Sequence, residues 1–307
     1  MQNLDGTVIA TALPTMAQAF GEEPVRMNVA LTSYLLSLAV FIPASGWVAD
    51  RFGARHVFRA AIAVFTLGSI LCGWADSLSF LVMARIVQGV GGAMMIPVGR
   101  LVLLRTAAKS ELVAAMAWLT MPALIGPVLG PPVGGFIVTY FSWQWIFYIN
   151  IPIGVLGIFL VTRFVTDVSE PPTAGFDGVG LLFSAGALAC LMFGFETIGR
   201  GVVPPVLTLA MLGGGLLSGV FYWLHARRHP APLLDFSLLR LKSFAVSMWA
   251  GSLFRIGAGA LPFLLPMMLQ IGFGRSAVQS GLVTFASAAG ALEMKPVAQR
   301  EIGRAHV

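Results

Sequence analysis

Long apolar segments separated by short polar ones make up almost the whole chain. Most of them approach the roughly 20 residues that a helix needs to cross about 30 Å of hydrocarbon. The pattern therefore predicts an all-α polytopic membrane protein. Ten spans are expected, at 4–20, 29–48, 60–75, 78–98, 112–141, 143–162, 178–195, 202–224, 244–272 and 277–292.

The segment 126–135 is unusually dense in glycine and proline, and it lies in a run with no charged residue between positions 112 and 162. In water this composition is typical of a loop, but a loop exposed to lipid leaves backbone groups without hydrogen bonds. We therefore predict a membrane helix. Gly126, Gly130 and Gly134 then form a seam on one face, where a second helix can approach closely. Such a seam would let two helix bundles rock past each other.

Composition supports a membrane protein, because 57% of the residues are hydrophobic and 10% are charged, against about 25% charged in soluble domains. The net charge of +6 does not indicate a nucleic-acid partner, since the basic residues fall between spans and not on one face. Alternate loops hold eleven and three of them, which places the N-terminus and the richer loops in the cytoplasm. The eleven are Arg51, Arg55, Arg59, Arg100, Arg105, Lys109, Arg163, Arg227, Arg228, Arg240 and Lys242, and the three are Arg26, Arg200 and Arg275.

Histidines and cysteines give little support to an enzyme. The four histidines fall outside the predicted spans, and no His-Glu-x-x-His pattern occurs. We predict no catalytic residue, no metal ligand and no cofactor. Cys72 and Cys190 lie in predicted spans, so no disulfide framework is implied. The histidines are His56, His225, His229 and His306.

The segment after the second span carries one acid among several basic residues. Its Gly46, Asp50, Arg51, Gly53 and Arg55 resemble the signature between helices two and three of the major facilitator superfamily. A small residue also fits at position 49, whereas position 54 holds Ala where a basic residue is usual. The resemblance implies that Asp50 and Arg51 form a gating latch between helix ends. The alternative is that these charges only set the topology.

Arg85 lies inside the fourth predicted span, where a charge costs at least about 2.5–3.5 kcal/mol on insertion scales. Gln88 and Gly92 follow at spacings of three and four and share its helix face. This run resembles the fourth-helix motif of the same superfamily, which implies a link between Arg85 and proton transfer. The alternative is an Arg that snorkels to the interface from near the helix end.

The glycine seam also matches a motif of the superfamily. Gly126, Gly130, Pro131, Gly134 and Gly135 resemble the fifth-helix motif of its proton-coupled antiporters. The alternative is close helix packing without any bearing on transport direction.

The start of the chain, Leu4-Asp5-Gly6-Thr7, resembles the first-helix signature of the fourteen-helix drug:proton antiporter branch. In that branch further apolar residues precede the signature, so the resemblance places Asp5 near the middle of the membrane. An intramembrane acid there can alternately hold a proton or a cationic substrate. The alternative is that Asp5 caps a helix end near water.

The resemblance implies a major facilitator fold with about ten of fourteen helices present and residues missing at both ends. The last segment fits nothing in the family and is expected to be a non-native, adapter-derived tail. The expected units are an N-terminal six-helix bundle at 1–165, a cytoplasmic linker at 166–177, two inserted helices at 178–224, a basic cytoplasmic loop at 225–243, the first helices of the C-terminal bundle at 244–300 and the tail at 301–307.

The implied function is proton-coupled export of lipophilic or cationic drug-like compounds across the inner membrane by alternating access. Asp5, Arg85 and Gln88 are the expected coupling residues. The implied partners are the substrates, protons and the lipid bilayer, and the resemblance also allows a periplasmic adaptor protein. A proton-coupled importer or a sensor on the same fold remains as an alternative.

Overall fold

The computed structural model describes residues 2–23, 26–108, 110–167, 175–198, 203–274 and 283. Every regular element in this part of the chain is helical, which confirms the all-α prediction. Among the described residues, six helical segments are long and apolar enough to cross a membrane. Apart from residue 283, the predicted tenth span at 277–292 lies outside the described residues, as does the tail at 301–307.

Eleven α-helices form the described fold, together with two 3₁₀ turns at Ile42–Ala44 and Phe236–Arg240 and a π-helical turn at Met268–Gly272. In chain order the α-helices are α1 (Gln2–Phe20), α2 (Asn28–Phe41), α3 (Ser45–Phe52), α4 (Ala54–Gly73), α5 (Leu78–Thr106), α6 (Leu112–Tyr140), α7 (Trp145–Tyr148), α8 (Asn150–Phe164), α9 (Gly178–Thr197), α10 (Pro205–Ala226) and α11 (Lys242–Met267).

The predicted gating segment is mostly helix and not a loop. The second span continues through the 3₁₀ turn and α3 to Phe52, so Asp50 and Arg51 belong to its last helical turn. The break is the single residue Gly53, whose φ of +83° is accessible to glycine at little cost. Helix α4 then begins at Ala54, six residues before the predicted span.

Other basic residues assigned to loops also lie on helix ends. Arg100 and Arg105 belong to α5, and Arg163 belongs to α8. The apolar pattern marks the part of a helix that suits hydrocarbon, whereas the helix itself continues into the polar region. The predicted ends of the spans were therefore too early by up to about two helical turns.

Helices α4 and α5 approach each other closely through small residues. A Cβ added at Gly68 would lie 2.6 Å from the Cα of Gln88, and one added at Gly91 would lie 2.4 Å from the backbone nitrogen of Phe65. Glycine allows this separation because it has no side chain to insert between the helices. The close contact brings polar residues of α4 within reach of those on α5.

Helices α9 and α10 form a pair that also contacts α2. Asp177 caps α9 by accepting a hydrogen bond of 2.7 Å from the backbone N–H of Gly180. Burial disfavours the charged form of Asp177, but hydrogen bonds from Gly180, His225 and Leu233 outweigh burial and lower its pKa. Because the pKa is lowered on folding, the stability that charged Asp177 contributes is present near neutral pH and is lost as the pH falls through the folded-state pKa.

The α4–α5 contact predicts a large difference between two glycine substitutions on α5. Gly91→Ala should lower the free energy of unfolding by about 1–3 kcal/mol, because the new methyl group meets backbone that cannot rotate away. Gly99→Ala is the matched control, since its Cβ would meet only the ring of Phe58 at 3.6 Å. Thermal unfolding in detergent measures both, and equal midpoints would contradict the proposed packing.

Candidate functional site

A fully buried ion pair joins the first turn of α1 to the middle of the bundle. Arg85 Nη1 on α5 lies 2.5 Å from Asp5 Oδ2, and both side chains have an exposed fraction of 0%. Two opposite charges withdrawn from water in this way stabilise each other only if their remaining polar atoms are also satisfied. The surrounding residues supply most of those contacts.

The second carboxylate oxygen of Asp5 is held by two amide groups. Gln88 Nε2 donates to Asp5 Oδ1 at 2.9 Å, and Asn150 Nδ2 of α8 donates to the same atom at 3.2 Å. Both amides also donate to Ser69 Oγ on α4, at 2.8 and 3.3 Å. The carboxylate thus accepts hydrogen bonds from α5 and α8 while α4 steadies the donors.

The Arg85 guanidinium has a matching set of contacts. Its Nε donates to the backbone oxygen of Ala30 at 3.2 Å, and its Nη1 donates to Gln88 Oε1 at 2.6 Å. The guanidinium carbon lies 4.1 Å from the centre of the Tyr34 ring, within the range of a cation–π interaction. The charge is therefore stabilised by a carboxylate, an amide, a carbonyl and an aromatic face.

Three buried polar atoms of this cluster have no hydrogen-bond partner among the described residues. They are Arg85 Nη2, Tyr34 Oη and Asn150 Oδ1. A buried polar group without a partner costs free energy, and such groups often mark functional sites. The cluster is thus nearly but not fully satisfied, with a spare donor on Arg85 and a spare acceptor on Asn150.

The structure brings the three predicted coupling residues, Asp5, Arg85 and Gln88, into direct contact. Two alternatives were an Asp5 that caps a helix end near water and an Arg85 that snorkels to the interface. Neither agrees with the burial of these side chains. Gly92, predicted on the same face, is also buried.

Sequence reasoning missed Ser69, Asn150 and Tyr34 as members of the cluster. Asn150 carried a usable signal, since an amide inside an apolar segment is costly unless it is bonded. Ser69 carried none, because a serine hydroxyl in a helix can bond its own backbone, as here to Phe65 O at 3.0 Å.

The predicted latch residue Asp50 pairs with a residue that the motif did not indicate. Asp50 Oδ1 lies 2.7 Å from Arg105 Nη1, and both side chains are partly exposed. Arg51, the predicted partner, is exposed, and Gly46 faces open space. Arg105 follows Arg85 by twenty residues on α5, which is about 30 Å along a helix. The Asp50–Arg105 pair and the buried cluster therefore lie about 30 Å apart along the same helix.

A second contact joins the same turn to the residues after α8. The backbone N–H of Arg55 donates to Asp167 Oδ1 at 3.3 Å, and the Arg55 side chain donates to the carbonyl of Thr162. A Cβ on Gly53 would lie 2.7 Å from the Asp167 carboxylate. Glycine at position 53 thus serves both the turn and this close approach.

The glycine seam of α6 packs against α1. Gly126, Gly130 and Gly134 are buried, and a Cβ on Gly130 would lie 2.0 Å from Thr7 Oγ1. Gly135 faces open space, and the side chain of Pro131 lies outside the described part.

The seam contacts α1, which belongs to the same predicted bundle as α6, and its role in the rocking of two bundles stays a prediction. Spacing of glycines indicates a close contact but not which helix makes it. Thr7 is two residues from Asp5, so the seam bears directly on the helix that carries the buried acid.

Residues 1–300 match the family model of the Major Facilitator Superfamily. The chain is 41% identical over 304 residues to "Putative multidrug resistance protein MdtD" of Pectobacterium atrosepticum, covering 99% of this chain and 65% of that protein. A protein of the same name from Escherichia coli O157:H7 is 41% identical over 305 residues, covering 99% of this chain and 64% of its own length. The chain thus spans about two thirds of these relatives.

The fold is similar to that of a D-xylose-proton symporter in a crystal structure. The TM-score is 0.58 at 15% identity, and the match covers 98% of this chain and 66% of the symporter. At this identity the similarity shows the fold alone.

The buried ion pair predicts a strongly non-additive pair of substitutions. Arg85→Met should destabilise the fold by about 3–5 kcal/mol, because it leaves a buried carboxylate without its counter-charge. Asp5→Leu/Arg85→Met should be less destabilised than Arg85→Met alone, since neither charge remains. Arg163→Met, at an exposed Arg, is the control. Asp5→Leu completes the cycle, unfolding in detergent measures all four variants, and a double effect equal to the sum of the two single effects would contradict the assigned pair.

Proposed function

Because the chain belongs to the Major Facilitator Superfamily, we propose that it acts in the inner membrane as a proton-coupled exporter of lipophilic or cationic compounds. Substrate binds near the midplane and is exposed to each side in turn. The observation that carries this proposal is the buried Asp5–Arg85 pair, a carboxylate and a guanidinium that are both withdrawn from water inside the helix bundle.

The relatives support the choice of substrate class. Two of them are named as multidrug resistance proteins and share 41% of their aligned residues with this chain. The seam and first-helix residues of this chain resemble those of the antiporters, which favours export over import. The substrate class rests on these names and on the chemistry of an acid that pairs with a cation.

Protonation of Asp5 is the step that couples the two fluxes. A neutral Asp5 no longer balances the charge of Arg85, which is then buried without a counter-ion at a cost of several kcal/mol. The bundle relieves this cost by moving to a conformation in which Arg85 reaches water or another partner. A proton therefore shifts the equilibrium between conformations by binding one of them better.

Substrate binding depends on the same electrostatic interactions. A cationic substrate competes with the proton, and with Arg85, for the Asp5 carboxylate. In the structure described here Arg85 occupies the carboxylate, and neither side chain is exposed. This conformation therefore corresponds to a state without substrate at Asp5, and binding requires Arg85 to move away.

The contacts around the cluster indicate which parts move together. Thr7 Oγ1 donates to the backbone oxygen of Gly126 at 3.3 Å, so α1 and α6 are joined two residues from Asp5. At the far end of α5, the Asp50–Arg105 pair opens and closes as a latch on the cytoplasmic side. The N-terminus of the complete protein lies on that side, and an adaptor protein would bind on the opposite one.

Asp5→Asn should reduce proton-driven uptake of ethidium into everted vesicles by at least about tenfold, because the amide cannot exchange a proton. The vesicles should come from cells that express the complete gene encoding this chain. Asp76→Asn is the control, since Asp76 is exposed at the turn between α4 and α5. Unchanged uptake in Asp5→Asn would rule out the coupling role. Ethidium moving in the same direction as the protons would indicate an importer instead.

A further inference from the structure

Three metal-binding side chains meet at one end of the α9–α10 pair, away from the buried ion pair. Asp177 precedes α9, His225 lies in the last turn of α10 and His229 follows one turn later. One potential ligand atom from each lies within 4.8 Å of the others. We propose that these three residues bind a divalent transition-metal ion of the Zn²⁺ class.

The two histidines have the spacing that a helix needs to present two ligands on one face. The backbone N–H of His229 donates to the carbonyl of His225 at 2.9 Å, so the helical hydrogen-bond pattern continues past the assigned end of α10. Their ring centroids lie 5.1 Å apart with an interplanar angle of 32°. Side chains four residues apart on a helix are neighbours, which gives both rings access to one ion.

Asp177 supplies the third ligand from a fixed position. Its side chain is 2% exposed, and Oδ1 lies 2.7 Å from His225 Nε2. Oδ1 also accepts from Gly180, whereas Oδ2 accepts one long hydrogen bond of 3.3 Å from the Leu233 N–H. Oδ2 therefore keeps a lone pair for a metal while the carboxylate stays anchored at the start of α9.

The set of donors selects the class of ion. Two imidazoles and a carboxylate are typical ligands of Zn²⁺, with bonds of about 2.0–2.2 Å, and a water completes a tetrahedral site. Mg²⁺ and Ca²⁺ prefer oxygen ligands and are poorly served by two imidazoles. Tetrahedral bonds of this length place ligand atoms about 3.3–3.5 Å apart, so a rotation of the half-buried His229 ring closes the site.

The rest of the segment permits this rotation. Only one hydrogen bond to the His229 ring is described, a long contact of 3.3 Å from the Ala231 N–H to Nδ1. Metal binding replaces this contact and the direct His225–Asp177 hydrogen bond. The ion then ties the start of α9 to the end of α10 through both histidines, where the His225–Asp177 hydrogen bond now joins them.

This proposal revises the prediction of no metal ligand, which considered only residues within the predicted spans. His225 was placed one residue outside its span, and Asp177 is 48 positions earlier in the chain. Only the pairing of α9 with α10 brings them together. The proposal is independent of the transport function, so either can fail alone.

The first test is Zn²⁺ binding to the detergent-purified full chain by equilibrium dialysis. The protein used for this test carries His56→Gln and His306→Gln, so that His225 and His229 are the only histidines of the chain. The expected result is one Zn²⁺ per chain, no comparable binding of Mg²⁺, and a higher unfolding midpoint with Zn²⁺ through preferential binding to the folded state. No saturable binding at one equivalent would overturn the proposal.

The second test assigns the ligands. In the same background His229→Gln should weaken Zn²⁺ binding by about tenfold or more, since even outer partners of a metal site contribute about 10–100-fold. Arg228→Gln is the matched control, because Arg228 is an exposed neighbour on the same turn. The visible spectrum of bound Co²⁺ should change in His229→Gln and stay the same in Arg228→Gln. Equal affinity and equal spectra in both variants would overturn the assignment.

Discussion

The pairing of Asp5 with Arg85 is the interaction on which the described bundle depends. Four helices besides α1 contribute to it: α2 through Ala30 O, α4 through Ser69, α5 through Arg85 and Gln88, and α8 through Asn150. Charges buried to this extent have no water to stabilise them and depend on the side chains and carbonyls around them. Each helix must therefore keep its position while both charges remain. The same constraint makes the bundle sensitive to a single proton, because neutralising Asp5 removes the reason for that arrangement.

Close helix contacts place the pair where it is. The small residues of α4 and α5 let Ser69 and Gln88 meet, and Gly130 of α6 lets α1 approach with Thr7 beside Asp5. Without these glycines the polar side chains would be held too far apart to hydrogen-bond. Packing and electrostatics therefore act together. The glycine surfaces set the distances between the helices, and the ion pair sets which conformation of the bundle is preferred.

The strongest sequence signals predicted the centre of the site. A charge inside an apolar segment is rare and costly, so Arg85 was recognisable, and helical spacing added Gln88. Asp5 was placed in the membrane by the resemblance to the first-helix signature. Ser69 and Tyr34 were not visible, because hydroxyl and aromatic residues are common in such helices. A local pattern does not show which helices meet. For this reason the sequence did not indicate that the seam contacts α1 or that Arg105 is the partner of Asp50.

Helix ends were the weakest predictions for a related reason. Apolar runs report where hydrocarbon ends, whereas α3, α4 and α5 extend past it with Asp50, Arg55 and Arg105 on their surfaces. Order along the chain was nevertheless predictable: within the part of the chain that the structure describes, helices lie at the first nine predicted spans in the expected order, and six helical segments are long and apolar enough to cross a membrane.

The central claim is that Asp5 exchanges a proton when a cationic substrate binds. The most direct measurement is the pH change of a weakly buffered detergent solution of the complete protein when tetraphenylphosphonium is added. At a pH where the conformation with protonated Asp5 is populated, we predict saturable proton release by the native protein and none by Asp5→Asn, with binding of the probe to the native protein followed separately. Release of equal size in Asp5→Asn, or probe binding to the native protein without release, would contradict it.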